Sequence, residues 1–247
     1  MSYQIEICAN SVQSALNAEK GGADRVELCD NLWEGGTTPS HATIELAIQQ
    51  LSIPVFVLIR PRGGDFVYTT LEFEIIKKDI LHAKNLGAGG IVSGVLLSNG
   101  QIDHRRTAEL VRLSEPLPFT FHRAFDQVTD APQAMDELVK MGVKRILTSG
   151  QQPTVAQGME VLNTLHYYAN NRLVIMPGGG VNAKTIQPLY QSGFREFHFS
   201  AKVVQAGLAN YSLKVPMNGS KDIPEDSIPV SDIETIRKMK KLLDEME

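Results

Sequence analysis

The sequence predicts an α/β fold, a single-domain (β/α)8 TIM barrel spanning residues 1–247. Three observations carry this. Strand-like and helix-like stretches alternate along the whole chain, and eight such units in 247 residues match the size of a barrel. Four strands are entered through a glycine followed by an apolar residue, at Gly22-Ala23, Gly87-Ala88, Gly142-Val143 and Gly193-Phe194. These pairs precede the second, fourth, sixth and eighth strands, the rhythm of βαβα quarter-barrels, and glycine there can end a helix in the left-handed conformation. Finally, the alternation never breaks and no GxGxxG follows the first strand, which disfavours a doubly wound open sheet.

The strands are expected near 4–8, 25–29, 55–60, 90–96, 119–125, 145–149, 173–177 and 196–200, each followed by a helical segment. Helix starts are marked by capping-box patterns at Asn10-x-x-Gln13, Thr69-x-x-Glu72 and Ser231-x-x-Glu234. Thr38-Pro39 reads as an N-cap with proline at the first helical position. Residues 203–231, rich in Gly, Pro, Asn, Ser and Asp, read as one long irregular loop on the face where barrel active sites lie. A last helix over 232–246, with Ile233, Ile236, Met239, Leu242 and Leu243 at helical spacing, closes the ring.

The chain is 43% hydrophobic and 21% charged, with a net charge of −4. That balance suits a globular domain and argues against a nucleic-acid or anionic-membrane partner. No apolar run is long enough to cross a bilayer. The N-terminus runs straight into a strand with no leader, so a cytoplasmic location with two reduced thiols is expected.

The strand faces are unusual. In Gln4-Ile5-Glu6-Ile7-Cys8 and Arg25-Val26-Glu27-Leu28-Cys29, the aliphatic residues take one face and Glu-x-Cys takes the other. If helices cover the aliphatic faces, Glu6, Cys8, Glu27 and Cys29 point into the barrel. The fifth strand adds Thr120 and His122, the eighth adds Glu196, His198 and Ser200, and one phase of the third adds Arg60 and Arg62. Barrel cores are ordinarily branched aliphatic. One explanation is an internal ion-pair network of Glu6 and Glu27 with Arg60, although desolvation makes such networks a poor source of stability. The other is a ligand site at the carboxyl ends of the strands.

Each group has a chemistry and a plainer alternative. Cys8 and Cys29 lie on adjacent strands, and paired thiolates suit Cu(I), whereas buried free cysteine also serves as a small hydrophobe. Gly178-Gly179-Gly180 follows the seventh strand, where barrels often bind phosphate, and Ser149 after the sixth can add a donor. The same run also serves as a tight turn. His122 is a candidate general acid or base oriented by Asp126 or Glu6, with Glu27 as a further carboxylate. Arg60 and Arg62 suit an anionic ligand. Glu6, Glu27, His122 and His198 together would favour Zn or Mn over copper.

At these residues the chain resembles the CutC family, named for copper homeostasis. The stretches are GGADRVELC at 21–29, EGGTTPS at 34–40, IRPRGGDF at 59–66, TFHRAFD at 120–126, ILTSGQ at 146–151 and MPGGGV at 176–181. The resemblance spans about residues 4–201. It implies a (β/α)8 barrel, a cytoplasmic location, a homodimer and copper handling, with Cys8 and Cys29 as the family's matching cysteines. A third cysteine common among relatives in the GGDFCY segment is Val67 here. The residues also admit a second function, a barrel enzyme acting on a small phosphorylated or carboxylated metabolite.

Overall fold

The computed structural model describes residues 2–211, 215, 217 and 225–247. Eight strands build the barrel: β1 (Gln4–Ala9), β2 (Arg25–Leu28), β3 (Val55–Leu58), β4 (Gly90–Ser93), β5 (Phe119–Phe121), β6 (Arg145–Thr148), β7 (Val174–Pro177) and β8 (Glu196–Phe199). They form one parallel sheet in the order β7-β6-β5-β4-β3-β2-β1-β8. A parallel bridge between Gly178 and His198 joins the two ends and closes the barrel.

Helices α1 (Val12–Gly21), α2 (His41–Gln50), α3 (Thr70–Leu86), α4 (His104–Ser114), α5 (Ala131–Lys140), α6 (Met159–Ala169) and α7 (Ile186–Gln191) connect successive strands. Helix α8 (Ile233–Asp244) packs on α1 and α7 and completes the outer ring. It buries Ile236, Met239 and Leu243. No helix among the described residues is long and apolar enough to cross a membrane.

The four glycines have the expected conformation, with φ of 92°, 93°, 85° and 99° at Gly22, Gly87, Gly142 and Gly193. A Cβ costs about 1–2 kcal/mol in that region. Gly90 serves another purpose: a Cβ there would lie 2.5 Å from the Phe56 ring, so β4 gives up its side chain to admit Phe56 to the interior.

Several expectations at the element ends are corrected. Thr69 and Glu72 do form a capping box. At α1, however, Ser11 rather than Asn10 caps, because its hydroxyl reaches the Ser14 amide. Ser40 caps α2, so Pro39 precedes the cap instead of occupying the first turn. Asp232 displaces Ser231 at α8. In each case the winning side chain sits one or two residues further along, at the point where the backbone is still extended.

The long irregular loop is also corrected at both ends. Lys202–Ala206 and Ser227–Ser231 pair as antiparallel strands β9 and β10. Residues 212–214, 216 and 218–224, which fall inside that expected loop, lie outside the described residues. Asn10 Nδ2 donates to Pro229 O and Asn17 Nδ2 to Ser231 O, tying the hairpin to α1 and the loop before it.

Candidate functional site

The alternation along β1, β2, β5 and β8 places Glu6, Cys8, Glu27, Thr120, His122 and His198 toward the barrel axis, and all but Cys8 are buried. Two inward residues escaped the sequence reading. Arg25 shares a face with Glu27, and Arg145 shares one with Leu147, so period-two alternation was a sufficient signal for both.

These arginines, not Arg60, neutralise the interior acids. Arg25 Nε donates to Glu6 Oε2 at 2.5 Å, and Arg25 Nη2 to Glu196 Oε2 at 2.5 Å. Arg145 Nε reaches Glu196 Oε2 at 2.7 Å. Both guanidinium groups lie over the Phe56 ring. Glu6 is fully enclosed, and its other oxygen meets His198 Nδ1 at 2.7 Å. Burial alone would raise the Glu6 pKa, but Arg25 and His198 outweigh it and hold the carboxyl far below the usual range.

Glu6 therefore orients His198 and leaves His122 alone, correcting the pairing expected from sequence. The second ring nitrogen of His198 lies 3.7 Å from Glu27 Oε2. Burial disfavours imidazolium there, but Glu27, Cys8 and Glu6 together push the His198 pKa well above its ordinary value. Burial pushes the Glu27 pKa up.

His122 is in the opposite state. Its Nδ1 accepts from the Ala124 amide at 3.2 Å, because His122 caps a short 3-10 turn over Arg123–Gln127. Burial, then the charge of Arg60, depresses its pKa to about 3. It is a neutral imidazole with Nε2 protonated, and that atom is buried without a partner. Asp126 does not orient it. Its carboxylate accepts from Arg123 Nε and from the Ser149 amide and hydroxyl, so it fixes the loop after β6.

The other expected anion donors are mostly occupied. Ser149 is committed to Asp126 and Arg123 and stands outside the cavity lining. Gly178 stays in the barrel wall, where a Cβ would meet Leu147 at 2.4 Å. Gly179 and Gly180 do line the cavity. They lead into a turn built on Asn182 and Thr185, and α7 begins only at Ile186, so the run is not a helix N-terminus. Arg62 points away, bonded to Glu72 and Asp65, because the chain leaves the strand after Leu58 and period-two alternation ends there. Arg60 remains at the site, but its bonds go to the carbonyls of Glu34, Gly36 and Gly64.

A cavity of about 430 Å³ opens at the carboxyl ends of the strands, lined among others by Cys8, Glu27, Arg60, His122 and His198. Cys8, in its wall, places its Sγ 3.6 Å from the Sγ of the buried Cys29, and both thiols are free. Their contact first, and burial second, push the Cys8 thiol pKa well up. Cys8, Glu27 and His198 also bring one potential ligand atom each within 4.8 Å of one another. The expected quartet of Glu6, Glu27, His122 and His198 does not assemble, since both Glu6 oxygens are already bonded and His122 belongs to a separate pairing.

The CutC family model matches residues 3–203. A Homo sapiens protein named copper homeostasis protein cutC homolog is 44% identical over 237 residues, covering 95% of this chain and 87% of that protein. A Bacteroides thetaiotaomicron family protein CutC is 45% identical over 226 residues, covering 90% and 91%. The crystal structure of a CutC protein from Streptococcus agalactiae superposes with a TM-score of 0.77 at 40% identity, covering 80% of this chain and 98% of that one. An aldolase at 16% identity and a TM-score of 0.60 is similar in fold alone. Model, sequences and barrel agree along most of the chain: the protein belongs to the CutC family.

Proposed function

We propose that this protein serves copper homeostasis in the cytoplasm by binding copper(I) through Cys8 and Cys29. The observation that supports this most directly is the 3.6 Å contact of two free thiols on neighbouring strands, one of them opening on the cavity. Soft thiolates select Cu(I), and His198 and Glu27 stand beside Cys8 as further donors. The names of the relatives point the same way. Because the Cys8 thiol holds its proton tightly, metal binding displaces protons and strengthens as pH rises. The homodimer implied by the family belongs to the same proposal, and light scattering of the purified chain reads it directly.

An anaerobic Cu(I) titration against a competing chelator tests the site on the wild type, Cys8→Ser and Cys29→Ser. A tight site lost in both variants supports the reading. Binding that is weak, or unchanged by the replacements, overturns it and leaves the thiols as core packing.

A second reading is favoured by a different observation. His122 and Glu27 line the cavity, and His122 Nε2 and Glu27 Oε1 are buried without a hydrogen bond. Polar atoms buried without partners are costly, and active sites are where such atoms persist. In this reading the barrel is an enzyme acting on a small anionic metabolite. His122, neutral at ordinary pH, donates a hydrogen bond to the substrate, and protonated His198, held by Glu6 and Glu27, is the acid.

A further inference from the structure

The charges in the barrel interior divide into two groups. Glu6 and Glu196 face Arg25 and Arg145, and His198 lies between Glu6 and Glu27. Arg60 stands outside this set. It is only 5% exposed, and it donates to the backbone carbonyls of Glu34, Gly36 and Gly64 rather than to a carboxylate. No carboxylate pairs with it among the described residues. The Tyr68 hydroxyl lies close enough to feel the Arg60 charge, and burial keeps it neutral. A buried cation without a counter-charge is among the more costly arrangements in a protein.

A guanidinium has five N–H donors, and Arg60 commits three of them. The Nε–H and one Nη2–H remain, and the Nε atom is buried and unbonded. Both Arg60 and His122 line the cavity, and the Arg60 charge is felt at His122. A guanidinium without a carboxylate partner and a neutral imidazole thus border one space. Glu27, whose Oε1 is buried without a hydrogen bond, lines the same space. The remaining walls include Leu32, Leu58, Phe66, Leu147 and Phe199. The carboxylates at the rim, Glu34 and Asp126, leave this intact: Glu34 is exposed to solvent, and Asp126 is taken by Arg123.

We propose that the cavity binds a small organic monocarboxylate. Its carboxylate sits on Arg60 and His122 Nε2–H, a hydroxyl or amino group turns to Glu27 Oε1, and an apolar body rests on the leucine and phenylalanine walls. A phosphate monoester fits less well. The site holds one guanidinium without a carboxylate partner, α7 is too short and too late to present a helix N-terminus, and Ser149 is committed elsewhere. The proposal rests on the second reading above, that the cavity is a ligand site, and is independent of the thiol pair.

The test uses the full chain with formate, acetate, lactate and 3-phenyllactate, each matched with its neutral amide. The readouts are titration calorimetry and the ¹⁵N resonance of Arg60 Nε. Saturable binding is expected for the acids, weaker for the amides by on the order of tenfold or more, with the Arg60 Nε–H shifted by the acids. Arg60→Gln should lose the preference for acid over amide. Because Arg60 also ties three carbonyls, the acid–amide comparison on the wild type decides even if that variant does not fold. Equal binding of acids and amides overturns the carboxylate assignment but leaves a ligand cavity standing. Tighter binding of inorganic phosphate than of any acid overturns it in favour of a phosphorylated ligand. No binding by either series overturns the assignment and the ligand-cavity reading together.

Discussion

Arg25→Met is the most informative single change in the interior. The guanidinium is 6% exposed and holds two carboxylates, Glu6 and Glu196, each at 2.5 Å. Methionine fills much of the volume but leaves Glu6, fully buried, with only His198 as a charged partner. Removing one partner from a buried ion pair costs about 3–5 kcal/mol, a large share of the roughly 5–15 kcal/mol that holds a domain folded. For a chain of this size the melting temperature should fall by roughly 6–20 °C.

The pH dependence gives the sign. Glu6 has a folded pKa depressed below its ordinary 4.5, so its contribution is present above that value and is lost as pH falls toward the folded pKa. In the variant Glu6 loses its main cationic partner and protonates more easily. The deficit relative to wild type should therefore narrow as pH falls through about 4.5. Urea unfolding of both proteins at neutral pH and near pH 4 measures this. A deficit below about 1 kcal/mol at neutral pH, or one that does not change with pH, would refute the assignment of Arg25 as the counter-ion that makes this interior tolerable.

Two further outcomes follow from the same geometry. His122 should stay neutral in ¹³C or ¹⁵N NMR titrations across the acid range down to about 3, while the other histidines provide the comparison. Its depressed folded pKa means that stability present above its ordinary 6.5 drains as pH falls, and His122→Gln should remove that part of the acid sensitivity. Gly90→Ala should destabilise by about 1–3 kcal/mol through overpacking, because its Cβ would meet the Phe56 ring at 2.5 Å. A neutral effect in thermal melts would mean that Phe56 can move aside.

How far the site could be read in advance varied by residue. Glu6, Cys8, Glu27, His122 and His198 were legible because each lies on a short strand whose alternate residues are aliphatic or aromatic, and period-two geometry leaves no other face for them. Arg25 and Arg145 obey the same rule, and they rather than Arg60 meet the interior acids. Arg62 was misread because alternation was extended past the end of β3. Ser149 and Asp126 are turned to each other because loop contacts depend on neighbours far along the chain: Asp126 closes on residues 149 and 151, as Gly179 does on Val155, while Gly179 and Gly180 still line the cavity.

The sequence by itself determined the barrel, the eight strands, the left-handed glycines and which side chains face inward. All of these follow from local periodicity and from the conformations open to one or two residues. Only the tertiary structure decided which acid meets which base. The register of β1 against β8 brings Glu6 opposite His198, across 192 residues of chain. That register comes from closing the barrel, which no short stretch of sequence encodes. It also decides that Arg25 and Arg145 are taken by Glu6 and Glu196 and that Arg60 is left lining the cavity without a carboxylate partner.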